Sequence, residues 1–119
     1  MNGRRQRAER RGRLAEWRAA WRLRLAGYRI LARRFRTRAG EIDLVARKGR
    51  LLAFVEVKAR ADRARAAEAV GEAQMRRIAR AAELFMARHP RYAECSVRFD
   101  AVLVDGLWPE HIRDIWRPS

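Results

Sequence analysis

Three side chains in this sequence are of types that could do chemistry together. Asp43 lies in the run Gly40-Glu41-Ile42-Asp43-Leu44-Val45-Ala46, and Glu56 and Lys58 lie in Leu51-Leu52-Ala53-Phe54-Val55-Glu56-Val57-Lys58. The second run is apolar apart from those two charges, and a charge inside an apolar run is costly unless it is paired or binds a metal. Two carboxylates suit a hard, oxygen-seeking ion such as Mg2+, or Mn2+ in its place. Such an ion polarises a phosphate and acidifies water. A neighbouring lysine can hold phosphate oxygens or take a proton from that water, whereas arginine can only hold, because it does not give up its proton. Lysine is also rare here: of 29 basic residues only Lys48 and Lys58 are lysine. The plain alternative is a Glu–Lys pair forming a weak salt bridge on an open sheet face.

Such chemistry needs two adjacent strands. Glu56 and Lys58 are two apart on one strand and so point to one face. Residues 41–46 read as the preceding strand and 47–50 as a turn, with Lys48 and Gly49 at its centre. That hairpin pairs Asp43 with Phe54 and Glu41 with Glu56. Asp43, Glu41, Glu56 and Lys58 then share a face, and Asp43 and Glu56 are diagonal neighbours about 7–8 Å apart. The inference depends on register, because a one-residue slip sends Asp43 to the other face.

The remaining elements follow from periodicity. Leu14, Trp17, Trp21 and Leu25 recur at helical spacing from Gly12 to Ala26, with Gly27 placed to end the helix. That stripe is expected to face the core; base stacking is the alternative use of Trp17 and Trp21. Residues 28–35 read as a strand, 59–67 as a polar loop and 68–88 as a second helix ended by His89-Pro90. Residues 97–104 and 112–116 read as the last strands, the final one at an edge. Residues 51–58 are apolar enough to be buried on both faces, in the middle of a sheet. The expected architecture is α/β, in the order α-β-β-β-α-β-β: a basic N-terminal arm or fraying helix start over residues 1–11, then a single domain over 12–119.

Composition narrows the partners. The 119 residues carry a net charge of +15, for which a polyanion is the natural counterpart. Abundant arginine also accompanies a GC-rich coding sequence, so charge alone does not select nucleic acid. No apolar run is long enough to span a bilayer. The basic start has no apolar segment after it, so the expected compartment is the cytoplasm. Cys95 is the only cysteine and, with His89 and His111, lacks the spacing of a zinc site.

The motifs Gly40 to Ala46, Phe54-Val55-Glu56-Val57-Lys58-Ala59-Arg60 and Arg98-Phe99-Asp100 together resemble the YraN-like family of uncharacterised bacterial proteins. That family is similar to archaeal Holliday-junction resolvases and is placed in the PD-(D/E)XK nuclease superfamily. The resemblance runs from Gly12 to the final strand and implies a restriction-endonuclease-like mixed sheet flanked by helices. It also implies roles. Asp43 and Glu56 bind the metal, Lys58 is the catalytic lysine, and Glu16 is the helix acid that completes such sites, against the alternative of a solvated glutamate. Glu41 orients an arginine or acts on the metal indirectly, against the equal alternative of a solvated strand-end carboxylate, and Asp100 has a structural or positioning role beside an arginine. Gln74 falls where many relatives carry lysine. Being neutral, it leaves phosphate binding there to Arg76 and Arg77, unless those are only a solvated helix face.

The expected function is a Mg2+-dependent endonuclease on DNA, with branched or otherwise structured DNA as the suggested substrate. The alternative is a nucleic-acid-binding protein that retains the fold without catalysis. A third reading, a basic helix docking on an acidic partner or membrane surface, has less support. Dimerisation rests only on the analogy with branched-DNA cutters, which act in pairs.

Overall fold

The computed structural model describes residues 2–59 and 70–118, with side chains from Gly12 onward in the first helix. The elements are α1 (Asn2–Leu25), β1 (Arg29–Arg36), β2 (Glu41–Lys48), β3 (Leu51–Lys58), α2 (Glu72–Arg88), a single 3-10 turn (Pro90–Tyr92), β4 (Ser96–Leu103) and β5 (Glu110–Trp116). They follow the expected order. The expected loop at 59–67 and helix start at Glu68 lie almost wholly outside the described residues. Helix α1 starts at Asn2, not Gly12, and takes in the segment read as an arm. One interior glycine costs a helix about 1 kcal/mol, and the arginines, alanines, glutamine and glutamate around it are good helix formers.

The five strands form one mixed sheet in sequential order, β1-β2-β3-β4-β5. β3 and β4 are parallel, and the other neighbours are antiparallel. A parallel pair needs a crossover, and the segment containing α2 supplies it. β3 is the central strand and β5 an edge, as its burial pattern and the sequence both require.

Among the described residues, each face of the sheet carries one helix. Ile42, Val45, Leu52, Phe54 and Phe99 pack with Met75, Ile78 and Phe85 of α2. Leu44, Ala46, Ala53, Val55 and Val102 pack with Ala15, Ala19, Ala20 and Leu23 of α1. Alternate residues of β3 go to opposite helices, which is why that strand is apolar throughout.

The face of α1 that meets the sheet is not the one expected. Trp17 and Trp21 are 51% and 46% exposed, and Leu14 and Leu25 still more so. Alanines form most of the buried face instead, set against Ala46 and Ala53 of the sheet. Small side chains on both surfaces let helix and sheet approach closely, leaving no room for indole rings between them. Chain reversal after α1 goes as expected: Gly27 has φ 95, its N–H donates to Arg24 O, and Tyr28 N–H donates to Leu23 O. Lys48 Nζ adds a bond to Ala26 O at 2.7 Å.

The β2–β3 hairpin differs from the expected register by two residues. Lys48 pairs with Leu51 and Leu44 with Val55, so the turn is Gly49-Arg50 alone. Gly49 supplies the left-handed backbone (φ 61) that a two-residue turn demands. At its other end β2 is held by α2, where Gly40 approaches the Arg77 backbone so closely that an added Cβ would stand 3.2 Å from Arg77 Cβ.

Candidate active site

The corrected register changes the geometry of the acidic pair. Phe54 pairs with Val45, so Asp43 lies one step beyond the last paired residues, Leu44↔Val55, on the side of Glu56, and Glu41 no longer faces Glu56. Because the shift is an even number of residues, Asp43 and Glu56 stay on one face. Each carboxyl lies close enough to the other to shift its protonation.

Strand alternation breaks at Asp43. Leu44 packs against α1 but Ile42 packs against α2, although residues two apart should share a face. Across the ladder, between the pairs Arg33↔Leu44 and Phe35↔Ile42, stands Arg34, whose φ of 51 is left-handed. Both strands therefore turn at the same level. The turn lets Asp43 Oδ2 accept the N–H of Val57 at 2.8 Å, a side chain completing the ladder.

Glu56 is buried, only 5% exposed, and its Oε1 has no hydrogen-bond partner. Burial, then the charge of Asp43, pushes its carboxyl up to about 8, with Lys58 acting weakly the other way. Asp43 is also pushed up, by burial first; the Val57 N–H opposes this and the charge of Glu16 adds to it. Two carboxyls this close, out of water, cannot both ionise cheaply without a cation between them. The set thus has the donor chemistry of a hard-cation site: two converging carboxylates and one buried oxygen lacking a partner. Among the described residues, no three His, Cys, Asp or Glu side chains are grouped closely enough to hold one ion.

Glu16 is engaged elsewhere. Arg34 Nε donates to both of its oxygens, at 2.8 and 3.0 Å, in a partly buried pair. Glu16 stays close enough to raise Asp43 electrostatically, and Arg34 in turn responds to Glu16, Glu41 and Asp43. Arg34 was not singled out in the sequence. Its only signal was a position on β1, hidden among many arginines. Lys58 is half-buried on β3, two residues from Glu56.

The other expected residues lie around this centre or apart from it. Glu41 makes an exposed pair with Arg36 at 3.3 Å. Gln74 is half-buried on the first turn of α2, Arg76 pairs loosely with Glu72 at 3.6 Å, and Arg77 is exposed beside Gly40. Asp100 is fully buried, with both oxygens held by Arg98 at 2.7 Å, His111 Nε2 at 2.7 Å and the Asp114 N–H at 3.0 Å. Burial alone would raise its carboxyl, but those bonds outweigh it and hold it at about 2. None of these partners belongs to the Asp43–Glu56 pair. Asp100 ties β4 to β5, and through Arg98 Nη2, which donates to the Tyr28 hydroxyl, to the end of α1.

A helix-flanked mixed sheet with an acidic pair where two strands splay is the class this chain represents. It belongs to the uncharacterised protein family UPF0102, whose model matches residues 15–104. It is 54% identical over 113 residues to a UPF0102 protein of Chelativorans sp. (strain BNC1), covering 94% of this chain and 91% of the relative. A UPF0102 protein of Maricaulis maris is 51% identical over 121 residues, covering 100% of this chain and 94% of the relative. Among the described residues, no helix is long and apolar enough to cross a membrane.

Proposed function

We propose that the chain is a metal-dependent endonuclease that hydrolyses phosphodiester bonds in DNA, with branched or otherwise structured DNA as its substrate class. The observation that carries this reading is the buried Glu56 Oε1, without a hydrogen-bond partner and close enough to Asp43 to be raised by its charge. An apolar strand has no structural use for such a group. A buried carboxyl oxygen without a partner costs the fold, so its presence points to a ligand.

Asp43 and Glu56 would hold Mg2+ or Mn2+, which supplies positive charge to the scissile phosphate and acidifies water. The Val57 N–H donates to Asp43 Oδ2 and so orients that carboxyl. Lys58, on the same strand as Glu56, would hold a phosphate oxygen or accept a proton from the attacking water. Arg34 fixes Glu16 beside Asp43, where that carboxylate steers the site by its charge. Exposed arginines such as Arg76 and Arg77 would contact phosphates without reading sequence.

The capture of Glu16 by Arg34 favours a second reading, a nucleic-acid-binding protein that keeps the fold without cutting. The deciding experiment is cleavage of linear, flapped and four-way-junction DNA with Mg2+ or Mn2+, beside the Asp43→Asn, Glu56→Ala and Lys58→Ala proteins. Metal-dependent cutting that vanishes in all three supports the nuclease, and the preferred DNA reveals its substrate. Cutting that persists in the variants refutes the site, and salt-sensitive binding with no cutting supports the second reading.

A further inference from the structure

The outer face of α1 carries a second surface. Trp17 and Trp21 stand edge to face, with centroids 6.2 Å apart. Trp108, 62% exposed in the β4–β5 loop, lies beyond them, and the three rings line one open groove of about 290 Å³. Trp17 also lines an adjoining groove of about 500 Å³ with Glu16, Arg33 and Arg34, so the aromatic surface reaches the Glu16–Arg34 pair.

The rings are held in place. Arg18 bonds the carbonyls of Val104, Gly106 and Leu107, and Arg22 bonds that of Pro109, which pins the loop to the helix. These partners are neutral carbonyls, so the contacts leave the arginine charge uncancelled. The guanidiniums of Arg22 and Arg24 also lie 5.4 Å from the Trp108 and Trp21 ring centroids.

A surface that is both aromatic and cationic needs a partner with flat rings and negative charge. A second copy of a +15 chain would set these arginines against one another. Paired duplex DNA supplies the charge but hides its base faces. We propose that this face binds unpaired nucleotides of DNA, with bases stacked on Trp17, Trp21 and Trp108 and phosphates drawn to the surrounding arginines. That it guides a single strand toward a cutting site rests on the nuclease reading; the binding does not.

The test is fluorescence anisotropy of a labelled oligothymidylate and of a labelled duplex, in EDTA. It compares the wild type with Trp17→Ala/Trp21→Ala, Trp108→Ala and Trp21→Phe, all at exposed positions. Each alanine variant should lose roughly ten- to a hundredfold in affinity for the single strand. The salt dependence and duplex binding should stay unchanged, and Trp21→Phe should keep most of the affinity. Unaltered single-strand binding in the alanine variants would overturn the proposal. So would a wild-type dimer that these variants split with single-strand binding intact, which assigns the face to a second copy. The Glu56→Gln protein is measured in parallel, so a chain that never cuts still gives an answer, and cutting without tryptophan-dependent binding removes this inference alone.

Discussion

Glu56 and Asp100 are both buried carboxyls, and the residues around them give them opposite behaviour. Glu56 has an ordinary value of 4.5 and is raised to about 8 in the fold, by burial and then by Asp43. Between those values the folded chain holds a proton that the unfolded chain has lost. Its stabilising contribution is therefore present below pH 4.5 and is lost as the pH rises through 8. Metal-free protein should thus lose stability from pH 5 to pH 8, and Glu56→Gln should flatten that slope in thermal melts. Added Mg2+ should raise Tm more at pH 8 than at pH 5, because the ion competes with the proton for the same oxygens. A Tm that ignores Mg2+ at pH 8 would count against the metal site. Asp100 has the reverse sign. Lowered from 3.8 to about 2, it stabilises above its unfolded value and loses that contribution as the pH falls through about 2. Asp100→Asn strands Arg98 and His111 and should cost roughly 3–5 kcal/mol in urea unfolding at neutral pH. If the change is neutral, the tie between β4 and β5 is not structural. The sequence was enough to mark Glu56, because a charge in an apolar strand is conspicuous. It gave no sign of Arg34, whose role depends on a left-handed turn and on Glu16, distant in the chain.

At the scale of elements, α1 departs most from its pattern. Its apolar stripe reads as a core face by helical periodicity, yet alanines at 15, 19 and 20 are what the sheet accepts. The consequence is an inverted mutational order. Ala19→Leu should overpack the interface and cost about 1–3 kcal/mol, while Trp21→Ala should cost less, despite removing the larger side chain. Comparing the two midpoints in urea checks this; a larger loss for Trp21→Ala would return the stripe to the core. The hairpin carries a similar lesson. Its turn sequence allowed more than one centre, and the two-residue turn with Gly49 at positive φ settled which residues face each other.

At the scale of the whole molecule, charge dominates. Binding to duplex DNA should weaken linearly on a log–log plot of affinity against salt, with a slope of about −0.9 per phosphate neutralised. Affinity insensitive to salt would contradict both readings of the function. Length, charge, the order of elements and the central place of β3 were all determined by the sequence, because each depends on local periodicity or on counting. Glu56 and Lys58 stood out there too, as charges in an apolar run, and Asp43 was joined to them by the expected hairpin. Tertiary structure alone decided that Asp43 and Glu56 come close enough to shift each other, that Arg34 takes Glu16, and that three tryptophans remain outside. Each of those outcomes depends on how closely two surfaces approach and where two strands turn. Such distances are set by packing between segments far apart in the chain, and no local pattern encodes them.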